Sequence, residues 1–348
     1  MKNVELAIIG AGPAGLSASI EASKYGVKTL IIDENLLPGG QLFKQTHKFF
    51  GSKDQMAGSR GYEIGEKLLS LAKDNKVEIM LNTKVIGIDE NNTLATINNG
   101  TYTEINAKKI ILCCGATEKP LTFPGWTLPG IMGAGAAQTL VNIHRVVPGK
   151  KIFMVGSGNV GLIVSYHLLQ AGIKVEAIIE ASQKITGYSV HAAKLRRSGI
   201  PFFLGYTVNR AIGRNQLEQI ELVKLDEKFN KIPSTELLLD ADTLCLAVGL
   251  SPSTELTRMI GCTMTYNSKL GGYIPVVKEN LETSIKNIYA AGDMTGVEEA
   301  SIAIEEGRLA GLCCAIELGY CVDKENAEMT MTHIRSYLEQ LRGKGRKI

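Results

Sequence analysis

The chain has 348 residues, 45% hydrophobic and 21% charged, with 38 basic against 35 acidic side chains and a formal net charge of +3. That length suits about two domains with sizeable cores, and the near balance of charge argues against a nucleic-acid or anionic-membrane partner. No apolar run reaches the roughly 18 residues of a membrane span, the first strand begins too early for a signal peptide, and seven cysteines in mostly apolar runs read as reduced thiols, which together point to the cytoplasm.

Residues 4–9 read as a buried strand that ends in Gly10-Ala11-Gly12-Pro13-Ala14-Gly15, and residues 13–25 as a helix stopped by Gly26. Residues 28–33 form the next strand, closing on Asp33 and Glu34. Strand, glycine turn, helix and strand make the setting in which this spacing binds a dinucleotide. The first glycine permits the tight turn, the second lets backbone approach a pyrophosphate, and the third lets helix and strand pack closely. The helix N-terminus supplies unpaired N–H groups and a positive dipole end, and an acid at the end of the second strand takes the ribose hydroxyls.

A polar stretch follows, with Gly39-Gly40-Gln41 and Thr46-His47-Lys48. Residues 64–75 are amphipathic and helical, and residues 77–81, 83–89, 94–98 and 101–106 alternate as strands of a small antiparallel insertion, with Val85 in the second. Residues 109–114 are another buried strand, ending at Gly115. Pro120, Pro124 and Pro129 exclude a helix or central strand in the next segment, which marks the crossing into a second domain.

There the motif recurs as Gly156-Ser157-Gly158-Asn159-Val160-Gly161, again between an apolar run and a helical stretch. Gly10, Gly15, Gly26 and Glu34 map onto Gly156, Gly161, Gly172 and Glu180 at a constant offset of 146, which favours Glu34 over Asp33 as the first copy's ribose acid. Glu180, followed by Ala181-Ser182-Gln183-Lys184 with no arginine pair, suits the free ribose hydroxyls of NAD and repels a 2′-phosphate.

A strand at residues 243–248 closes the second domain, and the run from Ile288 to Gly292 and Asp293 marks the return. A helix is expected from Gly296 to about residue 318, with Thr295 and Glu298 as a capping box and Gly319 as its stop. Residues 333–341 read as a short helix before a basic, frayed tail. The histidines and cysteines lack metal-ligand spacing, so no metal site is expected. The fold class is α/β, with two Rossmann-like three-layer (ββα) dinucleotide-binding domains, the second inserted in the first. Residues 1–116 and 247–330 form the discontinuous domain, 117–246 the inserted one, and 331–348 the C-terminal helix and tail.

These features resemble the flavoprotein superfamily of thioredoxin reductase and the pyridine nucleotide-disulfide oxidoreductases. The resemblance implies that Gly10, Gly12, Pro13, Ala14 and Gly15, with Asp33 or Glu34, hold FAD. It implies that Gly40 and Gln41 run along the flavin, that the backbone at Val85 meets the adenine, and that Gly292 and Asp293 reach the ribityl chain, with Gly115 also lining the cofactor. It further implies that Gly156, Gly158, Asn159, Val160, Gly161 and Glu180 hold NAD(H) or an adenine nucleotide. Thr46, His47 and Lys48 are the candidates for proton transfer at the flavin. Thioredoxin reductase needs a Cys-x-x-Cys in its second domain, which this chain lacks, and the buried Cys113-Cys114 pair is no substitute.

The runs 115–130 and 292–311 are similar to the FAD-containing alpha subunits of bacterial amine dehydrogenases, a group with sarcosine oxidase, dye-linked proline dehydrogenase, opine oxidase and hydrogen cyanide synthase. Lys119 stands where that likeness leads one to expect arginine. The resemblance implies an FAD-dependent oxidoreductase passing electrons between NAD(H), flavin and a separate acceptor or donor. The alternatives are the subunit of an amino-acid or amine dehydrogenase whose small-molecule substrate is oxidised on a companion, and an assembly subunit without turnover. Larger members carry an iron–sulfur cysteine cluster after the last helix, whereas Cys313, Cys314 and Cys321 form no such pattern. An iron–sulfur cluster and a second flavoprotein would then lie on separate subunits, and a homo-oligomer is left open.

Overall fold

In a computed structural model describing residues 2–49 and 56–343, the run before the first glycine motif is β1 (Lys2–Ile9), followed by α1 (Pro13–Lys24) and β2 (Thr29–Ile32). Proline at the start of α1 forfeits no hydrogen bond, because that N–H has no partner within the helix. A 3₁₀ turn, Gly40–Lys44, precedes α2 (Gly61–Asp74), β3 (Glu78–Met80), β4 (Thr83–Ile88), β5 (Thr93–Asn98) and β6 (Thr101–Leu112). β3, β2, β1 and β6 are parallel neighbours, and β5 and β4 continue the sheet antiparallel from β6.

Two expectations change here. β3 belongs to the parallel sheet and not to the antiparallel insertion, since it pairs with β2. Residues 101–112 form one strand where two were expected: its first half pairs with β5 and its second with β1, and both registers hold at Ile105 and Asn106. A strand that changes partners midway changes its burial pattern midway, which reads in sequence as a break.

The chain divides into two compact units, Met1–Thr117 with Ser251–Ile348, and Glu118–Leu250. It leaves the first through β7 (Ala116–Glu118). The second contains β8 (Ile131–Gly133), α3 (Ala134–Asn142), β9 (Ile152–Val155), α4 (Asn159–Gln170), β10 (Val175–Glu180), α5 (Ser189–Arg197) and β11 (Phe202–Leu204). It continues with β12 (Tyr206–Ile212), β13 (Gln219–Lys224), β14 (Leu237–Asp240) and β15 (Thr243–Leu246). The parallel sheet runs β11-β10-β9-β15-β8, and β12-β13-β14 is a separate antiparallel sheet. Alternation along β9 sends Ile152 and Met154 into a core with the helices and Phe153 and Val155 into one with Ile220 and Leu222 of the antiparallel sheet. The return, at 250/251, falls beyond the expected 246/247 because the chain runs on through Gly249, whose carbonyl accepts the N–H of Lys119 at 3.0 Å.

After β16 (Leu250–Pro252), the first unit resumes with α6 (Glu255–Met259), β17 (Met264–Asn267), β18 (Gly272–Pro275), β19 (Ile288–Ala290), α7 (Ala300–Glu317) and α8 (Lys324–Arg342). β19 pairs parallel to β6. α7 crosses α1 backbone to backbone: a Cβ added to Gly307 or Gly311 would lie 2.1 or 2.2 Å from the carbonyl oxygens of Ala14 and Ala18.

The capping box at Thr295 and Glu298 does not form. Residues Gly292–Thr295 are a 3₁₀ turn, α7 starts at Ala300 behind Glu299, and the Thr295 hydroxyl donates instead to the carbonyl of Gly292 and the carboxylate of Glu306. The final helix is longer than expected and is no separate segment. Asp323 caps it by accepting the Asn326 N–H at 3.0 Å, and Ala327, Ile334 and Leu338 bury one stripe of it in the first unit's core. The basic tail after Gly343 lies outside the described residues. Among those described, no helix is long and apolar enough to cross a membrane.

Candidate functional site

In the first unit the carboxyl ends of β1, β2, β6 and β19 meet around the glycine turn, where ligands of open parallel sheets bind. The three motif glycines stand there for different reasons. A Cβ on Gly10 would lie 2.3 Å from the Cys113 oxygen, and one on Gly15 would lie 1.9 Å from the Gly10 oxygen, so the fold itself demands both. Gly12 has φ −77° and ψ −172°, which any residue adopts, and a Cβ there meets nothing within 4 Å. The chain's own packing gives no reason for glycine at this position. The space it leaves open faces the N-terminus of α1, which no side chain caps, and that combination fits a pyrophosphate.

Two of the predicted segments gather on this turn. The Gly39 N–H donates to the Ala11 carbonyl at 2.7 Å, and a Cβ on Gly40 would approach Gly12 Cα to 2.9 Å, so the Gly39-Gly40-Gln41 segment lies against the turn with Gln41 exposed. A Cβ on Gly292 would lie 2.9 Å from Ala14 Cβ, which brings Gly292 and Asp293 to the first turn of α1 beside Pro13. Gly115 follows β6, and its carbonyl accepts the Ser253 N–H at 3.0 Å. The Val85 side chain is buried in the core with Leu94 and Met294.

The mapping of the acid at the end of the second strand needs correcting. Asp33 is buried; one carboxylate oxygen accepts the Ala11 N–H at 2.6 Å and the other accepts the backbone and side-chain N–H groups of Asn35, both at 2.8 Å. Glu34 is 63% exposed and pairs with Lys84 at 3.6 Å. In the second copy Glu180 accepts the Ser157 N–H at 2.8 Å and its hydroxyl at 2.5 Å, so its counterpart is Asp33 and not Glu34. The offset is 146 where Ile9 and Val155 end their strands, but 147 where Ile32 and Ile179 pair with them. A bulge between Val175 and Ala177 inserts the extra residue.

The second turn repeats the logic of the first. Cβ atoms on Gly156 and Gly161 would collide with the Ala247 and Gly156 oxygens at 2.3 and 2.2 Å, whereas one on Gly158 meets nothing within 4 Å. Val160 is 43% exposed in the first turn of α4, and the Asn159 side chain accepts the Tyr188 N–H at 2.8 Å. The loop after β10 folds back, with the Gly187 N–H on the Ser157 carbonyl at 2.8 Å. Sequence reasoning missed Ser157, whose buried hydroxyl fixes Glu180; a hydroxyl where the first copy has Ala11 was the available signal.

Thr46, His47 and Lys48 lead toward α2: the Thr46 carbonyl accepts from Arg60 at 2.6 Å, His47 stacks on Phe49 at 5.5 Å, and the Lys48 backbone pairs antiparallel with that of Arg60. Burial holds the Cys113 thiol well above its usual range and pushes Cys114 up to about 12, leaving neither suited to thiolate chemistry. Among the described residues no group of three or more His, Cys, Asp or Glu is placed to hold a metal ion.

Burial pushes the Asp293 carboxyl up from 3.8 to about 6; the Glu298 N–H opposes this, and the charges of Glu306 and Glu298 add to it. Between those two values the native state binds more protons than the unfolded chain, so this group's contribution to stability declines as pH rises through that window. Asp293→Asn should therefore raise the apoprotein's unfolding temperature more at pH 7 than at pH 4, as thermal scans at the two values would show. An equal change at both would count against the burial account.

Residues 4–307 match the sequence model of the pyridine nucleotide-disulphide oxidoreductase family. The chain is 28% identical to an opine oxidase subunit from Rhizobium meliloti over 90% of its own length and 63% of that relative's. It is 26% identical to hydrogen cyanide synthase subunit HcnB of Pseudomonas aeruginosa over 95% of its length and 75% of that relative's. It thus spans under two thirds of the Rhizobium opine oxidase subunit. Among solved structures, the fold is similar to T. acidophilum thioredoxin reductase, with a TM-score of 0.73 at 21% identity, covering 91% of this chain and 99% of the other. It is also similar to L-proline dehydrogenase from P. horikoshii, with a TM-score of 0.71 at 23% identity, covering 95% and 59% respectively.

Proposed function

The chain belongs to the pyridine nucleotide-disulphide oxidoreductase family, a family of flavin-dependent oxidoreductases, and from that premise we propose that the first unit holds FAD and the second NAD(H). The observation that carries this is the paired openness of Gly12 and Gly158: each is a glycine that its own fold does not require, at the mouth of a helix that no side chain caps. In this reading the first turn of α1 takes the FAD pyrophosphate, Asp33 the adenosine ribose, and Asp293 the ribityl hydroxyls. Glu180 takes the ribose of NAD(H), held in place by the Ser157 hydroxyl, and its charge disfavours a 2′-phosphate. Bound flavin supplies the redox chemistry, and the protein supplies binding, orientation and the local field. Electrons then pass between NAD(H), flavin and a separate acceptor or donor.

Anaerobic addition of NADH to the FAD-loaded protein should bleach the flavin band near about 450 nm, with NADPH far slower. A second reading is favoured by the relatives, which are named as subunits of opine oxidase and hydrogen cyanide synthase. Here the second unit holds an adenine nucleotide without hydride transfer, and a small amine or amino acid is oxidised on a companion subunit. Tight FAD binding with no bleaching by NADH would favour that reading over the first.

A further inference from the structure

Arg342, the last residue of α8, carries a side chain only 2% exposed. It follows Leu338 by four residues, on the stripe that Ala327, Ile334 and Leu338 press into the core. Its guanidinium donates to Glu306 in a close contact and to Glu298 at 3.0 and 2.8 Å. The Glu306 carboxylate, itself 2% exposed, also accepts the Gly292 N–H at 2.7 Å and the Thr295 hydroxyl at 2.7 Å. The Glu298 N–H donates to the Asp293 carboxylate at 3.4 Å. One cation, brought from 36 residues along the chain, thus braces two carboxylate residues, each bonded to one member of the Gly292-Asp293 pair.

A carboxylate as buried as Glu306 is stable only with a counter-charge and filled hydrogen bonds. Without Arg342 the corner beside Asp293 would carry uncompensated negative charge. That corner is where, on the reading above, the dianionic pyrophosphate and the negative charge of a reduced flavin must be held. We propose that Arg342 is a positioning residue of the FAD site: by neutralising Glu306 and Glu298 it fixes Gly292 and Asp293, so that docking of the C-terminal helix governs FAD affinity and flavin potential. This rests on the assignment of FAD to the first unit.

The test uses the full chain stripped of flavin, with FAD titrations by fluorescence and flavin midpoint potentials by dye equilibration. Arg342→Met should weaken FAD binding on the order of ten- to a hundredfold and lower the potential, while Arg342→Lys, which keeps the charge, should restore most of both. Glu306→Gln combined with Arg342→Met should also recover, because glutamine still accepts the Gly292 N–H while the buried charge is gone. Wild-type affinity and potential in Arg342→Met would overturn the proposal, as would a double variant no better than Arg342→Met, including one that fails to fold with it. If the wild-type chain itself takes up no FAD, the flavin reading falls first, a result distinct from either.

Discussion

Gly12→Val is expected to abolish detectable FAD binding while lowering the apoprotein's stability by no more than about 1 kcal/mol, the scale of a lost N-cap preference. Gly15→Val is expected to destabilise by more than about 3 kcal/mol or not to fold, since its side chain must displace backbone rather than enter open space. The contrast follows from what each Cβ would meet: nothing within 4 Å at Gly12, and the Gly10 oxygen at 1.9 Å for Gly15. The same pair of outcomes is expected in the second unit for Gly158→Val and Gly161→Val, read out by NADH binding. Circular dichroism melting of the apoprotein separates folding from ligand binding, and flavin fluorescence reports the latter. A Gly12→Val protein that melts normally and binds FAD normally would remove the main support for a nucleotide at this turn.

Asp33→Ala should cost both stability and FAD affinity, whereas Glu34→Ala should change neither appreciably. Removing the Asp33 carboxylate leaves the buried Ala11 N–H without its acceptor, a loss of about 1–3 kcal/mol, and deletes the group proposed to hold the ribose. Glu34 contributes only an exposed pair with Lys84 at 3.6 Å, of a kind worth about 0–1 kcal/mol. Melting curves and FAD titrations of the two variants decide the matter. If Glu34→Ala is the more damaging, the assignment of the ribose acid reverts to Glu34.

Much of the geometry of the two glycine turns was legible because it depends on local sequence. The two turns and the helices they start are specified by glycines within a few residues of one another. That Gly292 and Asp293 belong with the first turn was implied by the resemblance rather than by any local pattern. What was hidden depends on distant partners. The bulge at Glu176 leaves no mark in a sequence where every flanking residue is an ordinary strand former, so a constant offset looked sound to the end of the repeat. The capping box at Thr295 and Glu298 matched its pattern, but both residues were already engaged: the threonine by Glu306 and the glutamate by Arg342. Arg342 itself read as the beginning of a basic tail, because nothing in its neighbourhood announces a buried partner 36 positions earlier.

The bulge in β10 also limits how the two halves can be exchanged. Side chains on a strand alternate faces, so one inserted residue turns all that follow it to the opposite side. A chimera that carried the second glycine turn and its helix into the first unit, joined to β2 after residue 26, would keep Asp33 opposite Ser157, which takes the place of Ala11. One that carried residues from Gly172 through Glu180 without room for the extra residue would turn Ile178 and Ile179 to the wrong faces and swing the acid away from the turn it serves. The duplicated unit is therefore not a cassette, and any splice between its copies has to travel with its bulge or stop short of it.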